Sequence, residues 1–153
     1  MALKNRVNFG NILFPTDFSG ASALAAGYAL SLARQNRARL YCMHVMDTSN
    51  EAAGFYVPHL SFENLDEEML VGAEEMLHKF AQKHLKGYKN VELRVTSGEP
   101  YREIVKAVKA LKIDLCVMGT YGKAGLERLF IGSTTERVTR RAACPVLVIP
   151  PPR

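Results

Sequence analysis

The sequence predicts an α/β fold in which a parallel sheet carries helices on both faces. Two observations point there. Short apolar runs of strand length alternate with longer stretches whose apolar residues recur every three or four positions, giving the order β-α-β-α-β-α-β-α-β. The run 39–46, Arg-Leu-Tyr-Cys-Met-His-Val-Met, is mostly apolar rather than alternating, as strands buried on both faces of a parallel sheet are.

The first strand, Asn11-Ile-Leu-Phe14, is stopped by Pro15. Asp17 or Ser19 can cap the helix that follows at about 21–36, with the stripe Leu24, Ala25, Tyr28, Ala29, Leu32 and Ala33. After the second strand, residues 47–64 make a longer connection than compact domains usually hold. It carries Phe55, Tyr56, Val57, His59, Leu60 and Phe62, too aromatic for simple disorder. It reads as a lid, as a patch for a partner chain, or as a loop folded on its own core.

Asn64 opens the next helix with an acidic first turn, and the stripe Leu65, Met69, Ala73, Met76, Leu77, Phe80 and Ala81 carries it to about Leu85. Met69 and Met76 are packing residues on that stripe; His78 and His84 read as surface residues. Residues 90–96 alternate apolar and polar, as a half-buried or edge strand does. Gly98-Glu99-Pro100 turns into a helix with Pro near its first position and Ile104, Val105, Val108 and Leu111 on its buried face. The fourth strand is 113–118. The last helix opens at Ser133 with a capping box, Ser133-Thr-Thr-Glu136, and turns Val138 and Ala142 inward. Val146-Leu-Val-Ile149 is the final strand.

At 153 residues the chain suits one domain, 1–153, with no internal repeat or low-complexity tract. No apolar run approaches the length of a membrane span, and the first residues lack a signal peptide's apolar segment, so a cytoplasmic protein is expected. Cys42 and Cys116 lie in apolar runs and Cys144 precedes Pro145; without a Cys-x-x-Cys pair they read as buried inert thiols. The formal charge of +5 permits a polyanionic partner without demanding one. Its densest cluster, Arg137, Arg140 and Arg141, suits the C-terminal end of a helix. No membrane and no nucleic-acid partner is expected.

One stretch carries chemistry. Gly119-Thr-Tyr-Gly122 is followed by nine residues and then Gly132-Ser133, between a strand and a helix start. Glycines let backbone N–H groups approach a ligand, and a helix N-terminus offers unpaired donors with partial positive charge, so this spacing suits a phosphate. It is not a Walker A loop, because Ala124 follows Gly122-Lys123, and no Gly-x-Gly-x-x-Gly follows the first strand. No Gly-x-Ser-x-Gly elbow occurs, and neither a catalytic set nor a metal-ligand set is expected. Asp17, after the first strand, would face the glycine loop if the first and fourth strands are neighbours; it then either contacts a ligand or caps a helix. His44, within a strand, reads as a packed core histidine.

The whole chain resembles the universal stress protein family, in its ATP-binding branch. The resemblance rests on Ile12-Leu-Phe-Pro-Thr-Asp17-Phe-Ser, His44-Val45, Gly98-x-Pro100, Asp114-Leu-x-Val-Met-Gly119 with the glycine motif, and Cys144-Pro-Val-Leu-Val-Ile149. It implies a three-layer α/β/α Rossmann-like fold with a five-stranded parallel sheet in the order 3-2-1-4-5. It implies ATP or a related adenine nucleotide, with or without Mg²⁺ or Mn²⁺, in a stress-response regulator or sensor without rapid turnover. By motif, Pro15, Thr16 and Asp17 lie by adenine and ribose, Val45 contacts adenine, and Met118 and Gly119 line the ribose side. Gly122, Gly132, Ser133 and Thr134 hold phosphates. The last strand, 146–149, pairs across a homodimer, and a further protein partner is unknown. Tyr121 stands where family members often have His or Arg. The alternatives are a slow ATPase or autophosphorylating enzyme using the hydroxyls of Thr120, Ser133 and Thr134, and a nucleotide-free adaptor.

Overall fold

The structure, a computed structural model, describes residues 6–47, 53–56, 65–120 and 131–152. Its strands are β1 (Asn11–Pro15), β2 (Arg39–Met46), β3 (Val91–Ser97), β4 (Leu115–Gly119) and β5 (Val146–Ile149). Its helices are α1 (Gly20–Asn36), α2 (Ala53–Tyr56), α3 (Leu65–His84), α4 (Pro100–Ala110) and α5 (Ser133–Arg141). The strands form one parallel sheet in the order β3-β2-β1-β4-β5. The order reverses direction beside β1, whose neighbours β2 and β4 lead away to opposite edges. Among the described residues, no helix is long and apolar enough to cross a membrane.

The two faces of the sheet bury two cores. Ile12, Phe14, Leu40, Cys42, Leu115 and Val117 face the alanine-lined side of α1 and Leu77, Phe80 and Leu85 from α3 and its end. Leu13, Tyr41, Met43, Val45, Cys116 and Met118 face Ile104 and Val108 of α4 and Val138 of α5. The alternation along each strand assigns its side chains to these cores. β3, at one edge, is only half-buried, as its alternating sequence predicted.

Several local expectations shift. α1 packs through Ala25, Ala26, Ala29 and Ala33, while Tyr28 is exposed; small residues bring the helix close to the sheet, and the large ring has no room there. Of its two candidate caps, Ser19 is the one, accepting from Ser22 N–H at 3.2 Å. On α4, Ile104 and Val108 are buried, and Val105 and Leu111 only partly so. His78 is exposed, but His84 is half-buried against Phe80, with ring centroids 4.5 Å apart. Burial and then the neighbouring Lys83 lower its pKa. Burial raises Cys42 to about 12 and lifts Cys116 as well, so both are inert thiols; Cys144 is half-buried and also raised by burial.

β4 begins at Leu115 rather than Ile113 because Asp114 is occupied at the amino edge of the sheet. Its Oδ2 accepts from Gly10 N–H at 2.9 Å and Asn11 N–H at 2.8 Å, and its own N–H donates to Asn11 O. This tie fixes the entry of β1 beside β4. Asp114→Ala hands two exposed N–H groups to water and should lower stability by about 1 kcal/mol in urea unfolding. Phe14, fully buried with its ring centroid 6.1 Å from that of Phe80, should cost more. We expect Phe14→Ala to lose about 3–5 kcal/mol by the same measurement.

Candidate functional site

At the carboxyl end of the sheet the divergence of β2 and β4 from β1 leaves a crevice, where ligands of open parallel sheets bind. Here it is a cavity of about 370 Å³. Pro15, Thr16, Asp17, Val45, Met118, Gly119, Gly132, Ser133 and Thr134 all line it. Gly122, like Tyr121, lies outside the described residues. The structure therefore brings together nine of the ten residues singled out from the sequence.

One wall is the turn after β1. Thr16 N–H donates to Met43 O at 2.8 Å, and this is the last hydrogen bond of the β1–β2 ladder. Backbone groups of a strand face alternate neighbours, so Met46 O, which accepts from Gly98 N–H, points toward β3, and Val45 points toward β1. β1 has ended there. Among the described residues no backbone bond reaches the Val45 N–H or C=O from β1's side, and Val45 lines the cavity.

The turn itself is tightly specified. Phe18 takes a left-handed φ of 66°, unusual for a bulky residue. Phe18 N–H donates to Thr16 Oγ1 and Ser19 N–H to Asp17 Oδ1, each at 3.0 Å, and Ser22 Oγ donates to Thr16 Oγ1. The Phe18 ring lies 4.4 Å from that of His44 and 5.9 Å from that of Phe80. Asp17 thus shapes the turn and also lines the cavity.

The opposite wall is the start of α5. Ser133 is not its cap: it is the first helical residue, and Gly132 occupies the N-cap position without a side chain to offer. The expected capping box therefore does not form; among the described residues no side chain caps the first turn of α5, whose Ser133, Thr134 and Thr135 line the cavity. Thr135 Oγ1 donates to Gly119 O at 2.8 Å, which pins this helix start to the end of β4. Gly132 N–H donates to Thr120 O. Thr120 Oγ1 is buried with no hydrogen-bond partner among the described residues. Gly119 has a packing reason of its own, since a Cβ there would come within 2.9 Å of Ala21 O on α1.

Sequence reasoning missed part of the lining: Ser22, His44, Asp47, Tyr56, Ile104 and Thr135. His44 is buried, as expected, but it is more than packing. Its Nδ1 lies 2.7 Å from Thr16 O and its Nε2 lies 2.8 Å from Tyr56 Oη. Tyr56 ends α2, a single helical turn that the connection 47–64 gave no periodic signal for; most of that connection lies outside the described residues. Thr135 carried a usable signal, being the hydroxyl one turn inside a helix that follows glycine.

This geometry can be set beside known proteins. The universal stress protein family matches residues 8–150. Universal stress protein MJ0531 of Methanocaldococcus jannaschii is 36% identical over 149 residues, covering 95% of this chain and 84% of that protein. The solved structure of hypothetical protein MJ0577, from the same organism, superposes with a TM-score of 0.78 at 28% identity, covering 96% of this chain and 99% of that one. UspA from Lactobacillus plantarum gives 0.74 at 27% identity, covering 94% and 99%. Three more distant structures share the fold with nucleotides present. They are a universal stress protein with cAMP (21% identical, TM-score 0.70), one from Archaeoglobus fulgidus with dAMP (18%, 0.67) and one from Arabidopsis thaliana with AMP (19%, 0.62). With the family match over residues 8–150, a relative 36% identical and a shared strand order, the chain belongs to the universal stress protein family.

Proposed function

We propose that the crevice binds an adenine nucleotide, ATP in the first place, and that the protein serves as a nucleotide-responsive stress regulator rather than a rapid enzyme. The observation that carries this reading is the pairing of two unlike features in one cavity. Val45 offers a backbone N–H beside a C=O at one end, and α5 offers an uncapped N-terminus at the other.

A donor beside an acceptor matches the adenine edge, whose N1 accepts and whose N6 amino group donates; guanine presents the reverse pattern. An uncapped helix start with unpaired N–H groups suits phosphate oxygens, aided by the helix dipole. Asp17, at the turn between them, can accept from ribose hydroxyls. The residues present fit such a ligand. The volume lies within the range of small-molecule sites. The bound cAMP, AMP and dAMP of the three distant relatives support the class of ligand. A divalent cation, Mg²⁺ or Mn²⁺, would come with the phosphates, held by their oxygens.

Titration calorimetry with ATP, AMP and GTP tests the reading. We expect adenine nucleotides to bind more tightly than GTP. Gly132→Val and Gly122→Val should each abolish binding with the melting temperature nearly unchanged. Binding of ATP by both variants at the parent affinity would remove the loop from the site.

The same proposal assigns β5 to a homodimer. β5 lies at the sheet edge, and Leu147 is exposed. Cys116 N–H donates to Pro145 O, so Pro145 and Leu147 turn their backbone toward β4, and Val146 and Val148 turn theirs outward. An open apolar edge invites pairing, and a two-fold repeat of itself satisfies it. Val148→Pro removes an outward N–H without touching the β4 ladder. It should convert a dimer to a folded monomer by light scattering, and a parent that is itself monomeric overturns the assignment.

A further inference from the structure

The Val45 N–H is open for a reason that lies outside the wall it belongs to. If the β1–β2 ladder ran one step further, the partner of this N–H would be Thr16 O. That carbonyl is instead engaged by the His44 ring, at 2.7 Å from Nδ1. A carbonyl only accepts, so Nδ1 carries the proton. In the neutral imidazole the other ring nitrogen, Nε2, is then the acceptor, and its partner is Tyr56 Oη at 2.8 Å. The Tyr56 oxygen also faces Asp47 N–H, at 3.4 Å, which leaves the hydroxyl proton pointing at His44. Burial raises the pKa of Tyr56, the Asp47 N–H opposes that and the Asp47 charge adds to it, so the phenol is a neutral donor.

Tyr56 is in turn held from behind. It packs with Met46, Met69 and Ala73, and at Gly72 of α3 a Cβ would come within 2.3 Å of Tyr56 O. Only glycine lets the end of α2 sit this close to α3. A continuous chain of contacts therefore runs from α3 through α2 and His44 to the peptide after β1.

We infer that His44 and Tyr56 are positioning residues for base recognition: by drawing the Thr16 carbonyl to the imidazole, they keep the Val45 N–H out of the β1–β2 ladder and open to the base. This rests on the adenine-nucleotide reading for its function, but the state of the Val45 amide does not. Neither side chain needs to touch the ligand.

The test uses the full chain and three variants. Tyr56→Phe removes the donor to Nε2. Gly72→Ala pushes on the same residue from the far side, away from the cavity. His44→Leu removes the ring and lets Thr16 O return to Val45. In the parent without nucleotide, amide hydrogen exchange should show Val45 exchanging much faster than Met43, although both lie within β2, and AMP should slow it. In His44→Leu the Val45 amide should become protected without nucleotide. In Tyr56→Phe and Gly72→Ala the AMP Kd should rise about three- to tenfold, as loss of one buried hydrogen bond gives. Preference for adenine over guanine nucleotides should fall with it. A solely structural role would lower the melting temperature and leave the Val45 exchange rate and the base preference alone, which overturns the inference. So does a parent in which Val45 is as protected as Met43. If Val45 behaves as described but the parent binds no adenine nucleotide, the positioning stands and the nucleotide reading falls.

Discussion

The carboxyl edge of this protein is organised by one constraint: β1 stops before β2 does. β1 is the central strand, and Pro15 and Thr16 end it while β2 continues to Met46. A parallel ladder that loses one strand leaves the backbone of its neighbour facing space, and a backbone group in that position needs a partner. The Thr16-to-Phe18 turn, the left-handed Phe18 and the start of α1 fill the space around that edge without covering it. Depth comes from the strands, and polarity comes from a peptide that the sheet no longer uses.

The other wall obeys a different rule. α5 begins at the crevice because β4 ends there, and Thr135 fastens the two by its bond to Gly119 O. What makes the helix start chemically open is the absence of a capping side chain at Gly132. α1 begins nearby with the usual serine cap, so its first turn is already served. The glycines of this region thus have separate reasons. Gly132 leaves donors unspent, Gly119 lets α1 approach β4, and Gly98, at φ 142°, takes a backbone conformation that side chains rarely adopt.

The layer order and both cores were legible in the sequence, because buried parallel strands and amphipathic helices leave periodic traces. The site was legible where its residues sit at chain joints: Pro15-Thr16-Asp17, Val45 and Gly132-Ser133 each stand at the end of a strand or the start of a helix. Misreadings arose where a residue's role depended on a neighbour distant in sequence. Tyr28 fits the α1 stripe by spacing, yet alanines set the distance from helix to sheet. Ser133 fits a capping box, yet the helix starts at Ser133 itself, one residue earlier than that box requires. His44 sits in an apolar run, where a histidine normally packs. Nothing local says that it bonds a carbonyl 28 residues earlier and a phenol 12 residues later. Tyr56 belongs to one turn of helix, too short for any period to show.

The long path from α3 to Thr16 has a thermodynamic consequence. If seating of Tyr56 helps to keep Val45 open, then base binding and the docking of α2 on α3 favour the same arrangement. Linkage makes that preference reciprocal: whatever factor α2 docking adds to base affinity, base binding adds to α2 docking. α2 also carries Phe55, partly exposed and 6.2 Å from Phe18 between ring centroids, so α2 touches the turn after β1 a second time. α2 meets the crevice turn through two contacts, Phe55 on Phe18 and Tyr56 on His44. Neither contact needs a long-range motion. Each needs only that a four-residue helix be better seated in one state than in the other, and Gly72 sets how much room that seat has.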